Sequence, residues 1–251
     1  MKKYTVRFFS TAFFIACNTL LLFSQNQHKI DSLEHSLSRA KEDTNKVRTL
    51  NELAFIYIES IPDKAISYSE KSLALSEKLN YKNGIENALN CFAGSYHTKG
   101  DLSKALEYYN KILKTYEGMV NKTNSGPFLS NIGTIYIEQG NYDKGLECFL
   151  TFLKLMEEVG DKERIAIALG NIGVTFQNKG GSTHNIHDYE EALKYHNKAF
   201  QMDKESGDKF NISVDLNNIG AVYSDIGKLK PSVEIFKKAL DHFQRSLKLK
   251  E

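Results

Sequence analysis

No tryptophan occurs in this chain, and only three prolines and three cysteines are spread through its 251 residues. So few prolines, together with very few long β-branched runs, favour helix over strand. The motifs of the common enzyme classes are also missing. There is no Gly-x-Ser-x-Gly, no Gly-x-x-x-x-Gly-Lys, no His-Glu-x-x-His and no Cys-x-x-Cys. No nucleophile–base pair, phosphate cradle or metal-ligand spacing can be assembled from what remains, so the sequence offers no catalytic residues and calls for no cofactor. Charge of one sign is lacking too: 33 Lys and Arg stand against 31 Asp and Glu. Lys2, Lys3 and Arg7 lie within the first 24 residues, so the formal charge of +2 becomes −1 without them. A near-neutral chain with interspersed charges has no electrostatic reason to seek nucleic acid.

The one long apolar run is N-terminal. A basic stretch, Met1 to Arg7, precedes apolar residues from Phe8 to Phe23, and polar residues begin at Ser24-Gln25. The run is interrupted by Ser10, Thr11, Asn18 and Thr19, and falls short of the roughly 20 residues a spanning helix needs. It reads as a signal peptide over residues 1–24, cleaved near Ser24–Gln25, which would send the chain to the periplasm or cell envelope. An uncleaved anchor, or a lipid attached at Cys17 in Phe14-Ile15-Ala16-Cys17, are the other readings. Either would be the chain's only tie to a membrane.

Counting then finds a repeat. Leu50-Asn-Glu-Leu-Ala-Phe-Ile-Tyr57, Leu89-Asn-Cys-Phe-Ala-Gly-Ser-Tyr96, Leu129-Ser-Asn-Ile-Gly-Thr-Ile-Tyr136, Leu169-Gly-Asn-Ile-Gly-Val-Thr-Phe176 and Leu216-Asn-Asn-Ile-Gly-Ala-Val-Tyr223 align directly. Their leading leucines are spaced by 39, 40, 40 and 47 residues. Each segment is followed by a turn such as Lys99-Gly100-Asp101, Gln139-Gly140-Asn141 or Ile226-Gly227-Lys228. A second amphipathic run follows each turn, as in Leu106, Tyr109, Leu113 and Tyr116, which share one face of a 3.6-residue helix. The second runs are Asp63–Leu79, Leu102–Tyr116, Tyr142–Met156, Tyr189–Met202 and Leu229–Phe243. Pro62, Pro127 and Pro231 fall at or just before helix starts, and Gly160 and Gly207 fall where a left-handed helix cap is wanted. Gly133, Gly173 and Gly220 recur in register inside the first helices, with Ala54 and Ala93 at the same place. Opposed to Ala65, Ala105, Gly145, Ala192 and Ser232, they suggest small residue against small residue where the helices of a pair approach closely. The expected organisation is a capping helix at 28–43, with Ile30, Leu33, Leu37 and Ala40 on one face, then repeats at 47–86, 87–125, 126–162, 163–209 and 210–251. The fourth repeat carries a seven-residue insertion, 181–187, expected as a solvated loop. His184, His187 and Asp188 in or beside it are too few for a zinc site.

Over residues 50–246 this pattern resembles the tetratricopeptide repeat, in a long variant with a period near 40 like that of kinesin light chains. The resemblance implies an all-α fold, a right-handed superhelical solenoid of antiparallel helix pairs, whose first helices line a concave face that binds a protein or an extended peptide. Ligand positions carried over from the family are Asn51, Asn90, Ser130, Gly170 and Asn217, with Cys91, Asn131, Asn171 and Asn218 beside them. One turn on come His97 and Gln177, then Glu59, Glu138 and Asp225. Asparagine both donates and accepts, so such a ladder could hold a peptide backbone; it could equally serve neighbouring helix ends. None of these positions is basic, so no carboxylate clamp is expected, and the acidic row suits a neutral or basic partner.

Two functions fit such a stack: an exported interaction scaffold, or the sensory part of a bacterial signalling system whose kinase or DNA-binding output lies downstream or in a partner. The last helix would present Val233, Phe236, Leu240 and Phe243 without a following repeat, which suggests a homodimer through that helix or a missing continuation. Cys91 and Cys148 fall on different helices and read as buried thiols.

Overall fold

The computed structural model describes residues 27–117 and 123–249, all of which lie in helices, short turns or helix caps. The expected leader, and Cys17 within it, lie outside the described residues. Among the described residues there is no strand, and no helix is long and apolar enough to cross a membrane.

Among the described residues eleven α-helices follow one another: α1 at 27–39, α2 Thr44–Tyr57, α3 Pro62–Lys78, α4 Lys82–Thr98, α5 Leu102–Tyr116, α6 Gly126–Glu138, α7 Tyr142–Val159, α8 Lys162–Thr183, α9 Ile186–Ser206, α10 Lys209–Leu229 and α11 Val233–Lys248. They make two compact units, 1–112 and 113–251, whose boundary falls within α5. Five helix pairs run from α2/α3 to α10/α11.

The turns explain themselves. Gly140, Gly160 and Gly207 adopt φ of 73°, 69° and 78°, closing a helix in the left-handed conformation that glycine takes without strain. The next residue starts the following helix: Asn141, Asp161 and Asp208 each accept a backbone N–H three residues on, from Lys144, Arg164 and Asn211. Such caps contribute about 1 kcal/mol each. Gly100 and Asp101 repeat the device before α5.

In the first unit α1 lays Ile30, Leu33 and Leu37 against Leu53, Tyr57 and Ala65. A polar cluster fastens it: Lys64 donates to the Tyr57 hydroxyl (2.7 Å) and to Glu34 (3.1 Å), and Tyr68 donates to Glu34 (2.9 Å). The helix ends at residue 39, and Asp43 caps α2 instead of extending α1. In the second unit Phe149, Met156, Ile172, Ile219 and Val222 are fully buried.

The recurring glycines have a more specific partner than small residues. A Cβ on Gly133 would stand 2.8 Å from the Phe149 ring, one on Gly173 2.7 Å from the His196 ring, and one on Gly220 2.9 Å from the Phe243 ring. Each glycine receives a flat ring from the second helix of its own pair. The second-helix small residue facing Gly220 is Ala239, whose carbonyl lies 3.2 Å from that Cβ, and not Ser232, which precedes α11. This shifts the register expected for the last pair by seven residues.

The same shift corrects the insertion. Residues 181–187 do not form a loop: α8 continues through Thr183, His184 closes it with φ 57°, and Asn185 caps α9, which starts at Ile186. The extra length is helix, 22 residues in α8 and 21 in α9. Helix α10 likewise runs through Gly227 to Leu229, where a turn was expected. Gly180 and Gly227 are buried against the rings of Tyr189 and Phe236, so each glycine serves an added turn of helix packing instead of a chain reversal.

Candidate functional site

In each unit, taken by itself, the face of interest is formed by the first helix of each pair on the side turned away from its second helix. In the first unit this face carries a cavity of about 340 Å³, lined by Arg48, Asn51, Glu52, Phe55 and Ile56 of α2, Asn87, Asn90 and Cys91 of α4, and Lys29 of α1. Asn51 is its floor. The side chain is 93% buried, and its amide donates to the carbonyl of Gly84 at 3.3 Å, while its Oδ1 is buried without a hydrogen-bond partner. Leaving a buried acceptor unpaired costs about 1–3 kcal/mol. Cys91 donates to the Asn51 carbonyl at 3.8 Å; burial pushes its thiol up to about 12, so it is no nucleophile. Phe55 stands 67% exposed at the rim.

Charge here is mixed. Lys29 pairs with Glu52 at 2.8 Å, and Arg48 donates to the Tyr81 hydroxyl at 3.4 Å. Arg48, Asn87 and Phe55 were not among the residues read from the sequence. They lie three residues before Asn51, three before Asn90 and four after Asn51, the spacings that share a helix face, so extending the ladder by one turn would have found them. With Arg48 and Lys29 present, the cavity gives no preference for a basic partner.

In the second unit the predicted residues separate into two groups. Asn171 donates to the hydroxyl of Ser130 at 3.2 Å, and Gln177 donates to Asp225 at 2.8 Å, so these side chains bind adjacent first helices to one another. Asp225 also takes a bond from Lys228 at 2.7 Å and is not an open acidic site. Asn131, Asn217 and Glu138 are exposed, and Asn218 is half-buried. His97, on the last turn of α4, is half-buried and outside the first-unit cavity. A second feature escaped the sequence reading: Ile167 is 45% exposed and Val214 38%, at equivalent places on α8 and α10, with Phe210 one turn before Val214. Gly170 leaves open space beside Ile167. The second unit by itself offers an apolar strip, and the first by itself an amide-lined cavity.

Elsewhere, His184 caps α8, His187 lies 3.8 Å from Glu190, and buried Asp188 accepts from Thr183. Among the described residues no three His, Cys, Asp or Glu side chains gather as metal ligands would.

Models of the tetratricopeptide repeat match residues 127–157 and 176–245. No curated protein matches the sequence significantly. The fold is similar to BtubC (BKLC) from P. vanneervenii, with a TM-score of 0.72 and 20% identity over 90% of this chain and 91% of that one. It is also similar to a putative kinesin light chain from Podosopora anserina built of nearly identical repeats of the tetratricopeptide type, with a TM-score of 0.65 and 12% identity over 84% and 97%. A third solved structure, of a Rap protein complexed with competence and sporulation factor, gives 0.64 and 14% over 92% of this chain and 71% of that one. At these identities the likeness concerns the fold. The glycine-punctuated helix pairs, the family matches over residues 127–157 and 176–245 and the neighbours agree: the chain has an all-α fold of helix pairs and carries tetratricopeptide repeats, of the type that serves as a scaffold for protein interaction.

Proposed function

We propose that this scaffold binds an extended peptide segment along the outward face of its first helices. The observation that carries the reading is the first-unit cavity lined by Asn51, Asn87, Asn90 and Arg48. The amides of Asn87 and Asn90 can both donate to and accept from a peptide backbone. Phe55 at the rim offers a place for an apolar ligand side chain, and in the second unit the strip of Ile167 and Val214 by itself offers another. A structural neighbour has been solved with a bound factor, which supports a binding role without identifying the ligand. The basic and apolar leader, residues 1–24, supports work outside the cytoplasm; mass spectrometry of the mature N-terminus tests this, and an intact Met1 in envelope fractions would refute cleavage.

Selection from a displayed library of random peptides tests the binding reading. Selected peptides should bind the wild-type chain, and should lose about tenfold in affinity for an Asn87→Ala, Asn90→Ala double variant, the loss of one or two net hydrogen bonds. Unchanged affinity would place the site elsewhere.

A further inference from the structure

The repeat register exposes one place where two joints of the second unit differ in kind. Between α7 and α8 the core holds Met156 against Ala168, 0% exposed each, beside Phe152. The equivalent residues between α9 and α10 are Asp203 and Asp215: Asp203 lies seven residues after His196 as Met156 lies seven after Phe149, and Asp215 lies five before Gly220 as Ala168 lies five before Gly173. Both carboxyls are buried, at 7% and 5% exposed, at the places where Met156 and Ala168 pack together in the preceding joint. Two ionised carboxylates buried at facing places repel each other, so the pair favours a proton on one of them. Oδ2 of Asp215 is buried without a hydrogen-bond partner.

We propose that Asp203 and Asp215 are a proton-operated latch on the joint between α9 and α10, closed by one shared proton and loosened when that proton leaves.

The surroundings favour this over a salt bridge. A cavity of about 530 Å³ reaches Asp203 from outside, so the proton has a route to water. From α8 it is lined by Lys162 and Glu163, from α9 by Met202 and Glu205, and from the start of α10 by Asp208 and Asn211. Three of those side chains are acidic and one is basic, and Glu163 and Asp208 both oppose ionisation of Asp203. From α11, Ser246 donates to the Ser213 carbonyl and Arg245 is paired with Asp241 at 3.6 Å, so neither neutralises the pair. Burial, and then the neighbouring Asp203, push the Asp215 carboxyl up to about 8. The linkage sign follows. The folded joint keeps a proton that free carboxyls give up near pH 4, so its stability is greatest at acid pH. It falls about tenfold in equilibrium constant per pH unit between about 4 and 8, and levels off once the folded pair has ionised.

Val214 and Asn217 flank Asp215 on the opposite side of α10, so the latch also sets the position of part of the binding face. That coupling rests on the peptide-binding reading; the opening of the joint does not.

Hydrogen exchange of the full chain, corrected for intrinsic rates, tests the latch. Protection of residues 209–229 should fall close to tenfold per pH unit from pH 5 to 8 in the wild type. It should be nearly flat in Asp215→Asn, which keeps a donor to Asp203 without an ionisable proton. The double variant Asp203→Met, Asp215→Ala installs the residues of the preceding joint and should also be flat, keeping the test open if the single variant fails to fold. A wild-type profile as flat as either variant's would overturn the proposal. A pH-dependent latch together with peptide affinity that ignores pH would overturn only its coupling to the binding face.

Discussion

The imidazole of His196 lies against Gly173, close enough that a Cβ on the glycine would stand 2.7 Å from the ring. The first helix of the fourth pair thus gives up a side chain, at a propensity cost of about 1 kcal/mol, so that a ring from the second helix can lie on its backbone. Gly173→Ala should lower stability by about 1–3 kcal/mol despite the better helix former, because the ring has no room to move in a fully packed interior. Gly170→Ala is the control: nothing lies within 4 Å of a Cβ there, so it should raise stability by about 0.5–1 kcal/mol. Urea unfolding of both variants decides the matter; equal effects would show that the glycine marks no close approach.

The same ring makes the fold sensitive to acid. His196 is 0% exposed, neither ring nitrogen has a partner, and burial pulls it down to about 4. The unfolded chain takes up a proton near pH 6.5 and the folded one does not. This contribution is therefore whole above about 6.5 and drains as pH falls toward 4, by an amount on the order of 3 kcal/mol, opposite in sign to that of the Asp203 and Asp215 pair. Phe149 and Phe243 occupy the equivalent places in the neighbouring pairs. His196→Phe should gain melting temperature relative to the wild type as pH falls from 6.5 to 4. An unchanged acid slope would assign the sensitivity to other groups.

One inter-pair contact recurs by register and should matter little. Lys99 meets Asp63, and Lys179 meets Asp143 at 2.8 Å; each joins the last turn of a first helix to the first turn of the preceding second helix. Both aspartates are around 80% exposed, and such pairs contribute about 0–1 kcal/mol. Lys179→Ala should shift the melting temperature by no more than 2–4 °C, and less at high salt. A larger shift would mean that the Lys179 stem packs between the pairs.

The apolar strip gives a prediction for binding. Ile167→Ser with Val214→Ser should leave stability almost unchanged, since both side chains are more than a third exposed. The pair should weaken binding of peptides with bulky apolar residues by about tenfold or more, from lost burial near 25 cal/mol per Å². Calorimetric titration with a library-selected peptide reads both quantities.

Much of this was legible in the sequence, for a physical reason. A repeat writes its packing rule several times, so Leu50, Leu89, Leu129, Leu169 and Leu216 fix the register where any single helix would be ambiguous. Gly160 and Gly207 were readable as left-handed caps because few other residues tolerate that backbone. Gly227 was misread as a turn because a glycine that admits a ring and one that reverses the chain look the same in a sequence. The difference lies in Phe236, which only the fold brings near. Asn171 and Gln177 were misassigned for a related reason: an amide able to hold a ligand backbone is equally able to hold Ser130 or Asp225 on the next helix, and spacing cannot tell which is nearer. Arg48 and Phe55 were missed because family positions were carried over one row at a time. The carboxyl pair Asp203 and Asp215 was written in the sequence at the places of Met156 and Ala168. It became visible only once the seven-residue shift in register was corrected.

The side-chain amide resonances of Asn51, Asn87 and Asn90 test the account most directly. In ¹⁵N-labelled protein titrated with a library-selected peptide, the Asn87 and Asn90 signals should shift in a saturable way. The Asn51 signal, from the wall of the same cavity, should move with them. Saturable binding that leaves all three signals in place, while shifting residues of α3 instead, would contradict it.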